Sequence, residues 1–416
     1  MDREGPSRRE FLEMLTRLGL SAGGAGLLAA CPGLGRLTGL APEEAYAAES
    51  LDALIKHAPA ARYWISSAHE GASCTTCHEA ADIKGRKKFR HSPAAVKCLL
   101  CAHECLIADG ERGRCRTRVN VGGTLRTLVY GRPISEHVDP IEKKPFYHFL
   151  PGSEAYSLAT SGCPLRCQFC QNWEISQASP EDYHVSYRSA EDMALRARSR
   201  KAPVVAFTYN EPTVFTEYLT DIAREARALG LRSVIISCGF MNEDPLREMI
   251  DVLDAFKIDL KGYSEEFYRK VTKSELGPVL RSIRQIASAG KHLELVNLVV
   301  PTLNDSRKDL TDLCKWVAGE LGPDVPVHFT RFHPDFRLLN LPPTPVSTLE
   351  KAREIAMEQG IRYAFVGNVP GHPGNHTYCH ACGKILIERK GFFVVDEHIR
   401  NGRCGHCKAP VAGVWK

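Results

Sequence analysis

SLATSGCPLRCQFCQNW, Ser157–Trp173, places a short apolar run directly before Cys163, Cys167 and Cys170 at CxxxCxxC spacing. Four thiolates close an iron–sulfur cluster, whereas three leave one iron of a cubane open to a further ligand. The spacing therefore points to chemistry as well as electron transfer. The competing reading is a zinc or plain electron-transfer site that borrows a fourth cysteine from elsewhere. Six more apolar runs follow along the chain, VVAFTY, SVIISC, AFKIDL, LELVNLVV, VPVHFTRF and YAFVGNV, separated by amphipathic stretches. Such alternation predicts parallel strands joined by crossover helices. The expected fold is α/β, an open or partial barrel of the (β/α)6 type, with reactive residues at the carboxyl ends of its strands. One connecting helix is predicted over Thr213–Leu229, between Pro212 before its first turn and Gly230 past its end.

The composition fits that expectation. The 416 residues are 44% hydrophobic and 25% charged, which excludes a disordered or fibrous chain and leaves room for one large domain with smaller modules. A net charge of +5, spread along the sequence, gives no reason to expect a nucleic-acid partner. Cysteine is the outlier, with 16 residues, most of them in tight groups. Disulfide scaffolds are short secreted domains with little core, so thiolate-bound metal is the reading that fits this chain.

Two cysteine groups flank the central loop. KCLLCAHECLIADGERGRC supplies Cys98, Cys101, Cys105 and Cys115, a set that suits either a structural zinc or a second iron–sulfur cluster. Paired CHAC and CGHC motifs supply Cys379, Cys382, Cys404 and Cys407, close to a zinc-ribbon pattern. Farther upstream, Cys74, Cys77 and His78 form CxxCH, the signature of covalent c-type haem attachment, with His91 a candidate opposite axial ligand. The same pattern also occurs in zinc knuckles. Between the first groups, VNVGGTLRTLVYG predicts a hairpin turning at Gly122 and Gly123.

At the amino terminus, Arg8 and Arg9 precede Phe11, Leu12 and a weakly apolar run from Leu18 to Ala30. This resembles a twin-arginine export signal, and the run is too short to span a bilayer as a lasting helix. Ala45, Tyr46 and Ala47 form an AxA cleavage site, while Leu28, Ala29, Ala30 and Cys31 read as a lipobox. The expected location is the periplasm or the outer membrane face, with membrane attachment only through lipid at Cys31. If Arg8 and Arg9 belong to an ordinary basic helix, the protein stays in the cytoplasm. The expected organisation is a signal over 1–48, a Cys/His-rich module over 49–150, the barrel over 151–370 and a zinc-ribbon-like knuckle over 371–416.

The CxxxCxxC loop, with Phe169 as the aromatic before its last cysteine, resembles that of the radical SAM superfamily. The resemblance implies a [4Fe-4S] cluster on Cys163, Cys167 and Cys170, with S-adenosylmethionine bound to the open iron. Reductive cleavage of that cofactor would give a 5'-deoxyadenosyl radical that abstracts hydrogen from a substrate. It further implies cofactor contacts at strand ends. Glu211, in FTYNEPT, stands where the family carries Gly-Gly-Glu for the methionine amino group, with Tyr209 and Asn210 in place of the glycines; a helix-terminal acid complementing the dipole is the alternative. Ser237, Cys238 and Gly239 fall near the expected ribose and methionine, and Val299, Val300 and Pro301 near an adenine face or simply in the core. Asp259 and Lys261, in KIDLK, resemble the strand end of glycyl radical activating enzymes, or form a rim salt bridge. His328 and His333 close the sixth strand as candidate substrate contacts. Lys261 and His328 are the catalytic candidates.

In order along the chain, KCLLCAHEC, HVDPIEKKPFYHFLPGS, CQNWEISQ, TYNEPT, KIDLKGY, VGNVPGH and CHAC resemble the AmmeMemoRadiSam system radical SAM enzymes, relatives of pyruvate formate-lyase activating enzymes. The implied activity is hydrogen abstraction from a substrate that the resemblance does not name, with a protein substrate as one form of it. The implied partners are an external electron donor and Memo-like and AMMECR-like proteins. A glycyl radical activase is the second enzyme reading. A haem and iron–sulfur electron carrier, motivated by the CxxCH motif, and a zinc-bearing assembly module are readings of other classes.

Overall fold

The computed structural model describes residues 50–66 and 94–416. The twin-arginine segment with Cys31, and Cys74, Cys77, His78 and His91, lie outside these residues. Ser50–Lys416 form one compact unit. No helix of the described residues is long and apolar enough to cross a membrane.

The chain begins with a helix over Leu51–His57, capped by the Ser50 side chain. Strands β1 (Trp64–Ser66), β2 (Val96–Cys98) and β3 (Leu106–Ile107) form a small antiparallel sheet. β4 (Arg118–Val121) and β5 (Thr124–Thr127) make the expected hairpin. Its two-residue loop needs positive φ at both positions, which Gly122 and Gly123 supply at 58° and 83°.

The central sheet contains β6 (Ser135–Pro140), β7 (Glu154–Ala159), β8 (Val204–Phe207), β9 (Arg232–Ser237), β10 (Ala255–Asp259), β11 (His292–Val299), β12 (Val327–Arg331) and β13 (Ala364–Gly367). They lie side by side in chain order. β6 is antiparallel to β7, and every later pair is parallel. The seven parallel strands are the seven apolar runs of the sequence, with YAFVGNV forming β13 beside β12, one more than the six of the (β/α)6 type. Parallel strands covered on both faces read as unbroken apolar runs, and β8 is buried at every position.

Helices over Ala190–Ser199, Thr216–Ala228, Glu243–Val252, Leu276–Ser288, Arg307–Leu321 and Val346–Glu358 connect or follow the parallel strands. Ser189 and Ser306 cap two of them by accepting from Asp192 and Asp309 backbone N–H groups. The helix predicted over Thr213–Leu229 opens as a 3-10 turn, Pro212–Phe215, and becomes α-helical at Thr216. Its inner face, with Tyr218, Leu219, Ile222, Ala223 and Ala226, joins the main core. Each fully buried large apolar side chain contributes roughly 1.5–3 kcal/mol.

The C-terminal segment builds a three-stranded sheet, β14 (Thr377–Tyr378), β15 (Ile385–Lys390) and β16 (Phe393–Glu397). It shares a core with the large sheet, in which Leu386, Ile387 and Val411 pack with Tyr147, Tyr363 and Phe365.

Candidate active site

The carboxyl ends of all seven parallel strands open into one cavity of about 440 Å³. The loop after β7 brings Cys163, Cys167, Phe169 and Cys170 to its wall. β8 contributes Glu211, β9 Ser237 and Cys238, and β10 Asp259 and Lys261. The sequence therefore pointed to residues from four different strand ends that the fold brings to one space.

Burial pushes the three loop thiols up, Cys167 to about 12. A bound cation is what stabilises thiolates in such a place. Asn210 fits a further ligand: its Nδ2 donates to the Gly162 carbonyl at 2.9 Å, while its buried Oδ1 has no partner and the side chain lines the cavity. The donor set and this orphaned acceptor fit an open-iron cluster with a polar ligand bound beside it.

Glu211 has both features weighed from the sequence. Its Oε1 accepts from the Thr213 N–H and hydroxyl at 3.1 and 2.6 Å, as a cap of the following turn. The same oxygen accepts from the Ser237 hydroxyl at 2.7 Å, and Oε2 from the Cys238 N–H at 2.7 Å. These bonds tie β8 to β9 and leave Oε2 with room for another donor. Tyr209 takes φ 70°, the left-handed region open to the glycine that the family pattern carries here. Its phenol donates to Asp139 Oδ2 at 2.6 Å, and its carbonyl accepts from Asn172 Nδ2 at 2.9 Å.

The salt bridge considered for KIDLK is present. Asp259 pairs with Lys257 and, at 3.1 Å, with Lys261. Burial raises the Asp259 carboxyl, but the two ammonium groups outweigh it and hold it down to about 2. Lys261 Nζ also lies 5.8 Å from the Phe169 ring centre.

Three candidates fall elsewhere. Val300 is fully buried in the main core and does not line the cavity; Val296 and Leu298 do, because the β11 side chains facing the cavity lie before the strand end. His328 is also buried away from the cavity lining. Its Nε2 meets Glu294 Oε2 at 2.6 Å, and its ring packs on Tyr147 and Phe365. Glu294 in turn accepts from the Tyr147 and His148 N–H groups, so His328 belongs to a buried network below the site. His333 is exposed and also outside the lining.

Sequence reading assigned no role to Lys143, Lys144 or Lys257, which give the cavity wall further cationic groups. Lys143 and Lys144 Nζ lie 2.8 and 2.5 Å from the two Asp139 oxygens. The KK pair within HVDPIEKKPF was the available signal, but a charge pair at a strand end ordinarily marks a solvated surface. Phe392, at the turn between β15 and β16, reaches the same cavity from the C-terminal module.

Cys379, Cys382, Cys404 and Cys407 form a compact set, with all four sulfurs within 4.8 Å of one another. That spacing suits one tetrahedral zinc ion. Cys98, Cys101, Cys105 and Cys115 line a separate hollow.

Residues 157–316 match the family model of the radical SAM superfamily. The chain is 42% identical over 314 residues to an uncharacterized protein of Methanocaldococcus jannaschii, a match covering 75% of this chain and 93% of the relative. A pyruvate formate-lyase-activating enzyme of Listeria monocytogenes is 26% identical over 171 residues, 38% of this chain and 66% of its own. Among solved structures, a domain of pyruvate-formate lyase-activating enzyme from Bacteroides vulgatus aligns at 17% identity with a TM-score of 0.36, covering 39% of this chain and 98% of that one.

Proposed function

Because the chain belongs to the radical SAM superfamily, we propose that Cys163, Cys167 and Cys170 hold a [4Fe-4S] cluster whose open iron binds S-adenosylmethionine. The observation that carries this reading is the convergence of the three thiols with Glu211, Ser237, Asp259 and Lys261 on one cavity at the strand ends. Bound together, cluster and cofactor would supply, on one-electron reduction, radical chemistry for hydrogen abstraction.

The protein's own part is positioning and shielding. Glu211 would present a carboxyl oxygen to the cofactor's amino group, held in place by Ser237 and Cys238. Asn210 Oδ1 accepts from a second donor. Phe169, Val296 and Leu298 give the cavity an apolar wall that would shield a bound cofactor from water. Lys261, fixed by Asp259 on the cavity wall, would offer a cation to the cofactor's carboxylate. Lys143 and Lys144 on the cavity wall suit an anionic group on the substrate or on the partner that presents it.

The substrate we favour is a protein. Support comes from relatives named as activating enzymes of pyruvate formate-lyase, isethionate sulfite-lyase and benzylsuccinate synthase. Two forms of this reading differ in the partner. The motif resemblance to AmmeMemoRadiSam system enzymes favours Memo-like and AMMECR-like proteins, while the activating-enzyme relatives favour a glycyl radical domain. A glycyl radical signal in a candidate partner after incubation with the reduced enzyme and cofactor selects the second.

The cofactor reading is tested by electron paramagnetic resonance on the anaerobically reconstituted, reduced protein. The spectrum of the Cys163 cluster should shift when S-adenosylmethionine is added. An unchanged spectrum at saturating cofactor would contradict an open iron.

A further inference from the structure

Outside the cavity, Cys98, Cys101, Cys105 and Cys115 line a small closed hollow with Arg118 and Pro164. They come from β2, the turn after it and the loop leading into β4. Two centres compete for four thiols, one zinc ion or one iron–sulfur cubane, and sulfur spacing separates them. Zinc holds each sulfur at about 2.3 Å in a tetrahedron, so the sulfurs stand about 4 Å from one another. Cys379, Cys382, Cys404 and Cys407 meet that requirement. Among the described residues, no other three thiol, imidazole or carboxylate ligand atoms lie within 4.8 Å of one another. Neither the Cys98 group nor Cys163, Cys167 and Cys170 forms such a compact set. A cubane does not require one, because each thiolate binds a different iron.

Arg118 is the second, independent observation. Its side chain is fully buried, with Nη1 and Nη2 donating to Glu217 at 2.9 and 2.6 Å. Its Nε–H has no partner, although the side chain lines the hollow. A buried donor left unpaired costs about 1–3 kcal/mol. The sulfur of an anionic cluster is an acceptor that would remove this cost.

We propose that Cys98, Cys101, Cys105 and Cys115 hold a second [4Fe-4S] cluster that delivers electrons to the first. The proposal rests on the reading of the Cys163 loop as a cluster site. Four thiolates leave no iron open, so this centre carries electrons and binds no cofactor. Its surroundings touch the catalytic loop. His103 Nε2 and Arg114 Nε each lie 3.1 Å from the Pro164 carbonyl oxygen, one residue past Cys163. A Cβ on Gly162, at φ 87°, would stand 2.5 Å from the Cys115 carbonyl oxygen, so the two cysteine loops meet backbone to backbone. An external one-electron donor is oxidised as the second cluster is reduced. The same electron then passes to the first cluster and returns the second to its oxidised state, with no bond made or broken.

The test uses the full chain, reconstituted without oxygen, and a Cys163→Ala, Cys167→Ala, Cys170→Ala triple variant. Acid-labile sulfide and zinc are counted in each, because a haem would add iron but no sulfide. We expect about eight sulfides and about one zinc in the wild type, and in the variant about four sulfides with a paramagnetic signal on reduction. A variant with about two zincs and no sulfide overturns the proposal. If the variant does not fold, about four sulfides with about two zincs in the wild type overturns it as well. About four sulfides in both proteins, with one zinc, would instead overturn the reading of the Cys163 loop and leave this site standing.

Discussion

Tyr209 holds a left-handed backbone, φ 70°, at a cost of roughly 1–3 kcal/mol for a bulky residue. The phenol explains how it is kept there. It donates to Asp139 Oδ2 at 2.6 Å, and Lys144 Nζ lies 5.0 Å from the ring centre. Tyr209→Phe should therefore lower stability by about 1.5–3 kcal/mol, the range for a hydrogen bond to a charged group, read from urea unfolding. An unchanged midpoint would show that the phenol does not anchor the turn. Lys144 gives a pH signature. Burial lowers its ammonium to about 8 and outweighs the nearby Asp139, from an ordinary value of 10.5. Between these values the unfolded chain binds more protons than the native one, so this group makes stability rise with pH across that window. Lys144→Met should remove that rise when unfolding is compared at pH 8 and pH 10. At this scale the sequence was partly readable. The Cys163 loop was readable from its spacing, and Glu211, Ser237, Asp259 and Lys261 from the family resemblance of the motifs at strand ends. The role of Asp139 was hidden, because its partners come from 5 and 70 residues away in the chain.

The seven parallel strands were legible because each centres on a buried, largely apolar run, even where Lys257, Glu294 and His328 are buried within it. β6 was not, since SEHVDP is antiparallel, partly exposed and polar. Val300 and His328 misled for a related reason. Period and position identify a strand end but do not say how far along the strand the cavity reaches. At the C-terminal module, pattern and structure agree on one thiol set, with Cys379 and Cys407 sulfurs 3.6 Å apart. Cys407→Ala or zinc chelation should open this element alone, freeing the backbone at the already exposed Lys384, Lys390 and Arg400 for trypsin while the central sheet stays resistant. Equal cleavage of chelated and metal-loaded protein would remove zinc from the account. Phe392 links the element to the cavity.

Over the whole molecule, Arg389 joins the C-terminal sheet to the catalytic unit. It is buried, donates to the Tyr147 carbonyl at 2.7 Å and forms a 3.7 Å ion pair with Glu142. Removing one partner of a buried pair costs about 3–5 kcal/mol, so Arg389→Ala should show that loss in denaturant unfolding. A loss under about 1 kcal/mol would mean that the module contributes little to the sheet. The central claim concerns chemistry, and one assay reaches it without the substrate. The reconstituted, reduced protein and its Cys170→Ala variant are each given S-adenosylmethionine, and 5'-deoxyadenosine is measured. The account predicts product from the wild type alone. No product from a wild type whose clusters are present and reduced, or equal product from the variant, would contradict it; the first result would favour an electron carrier.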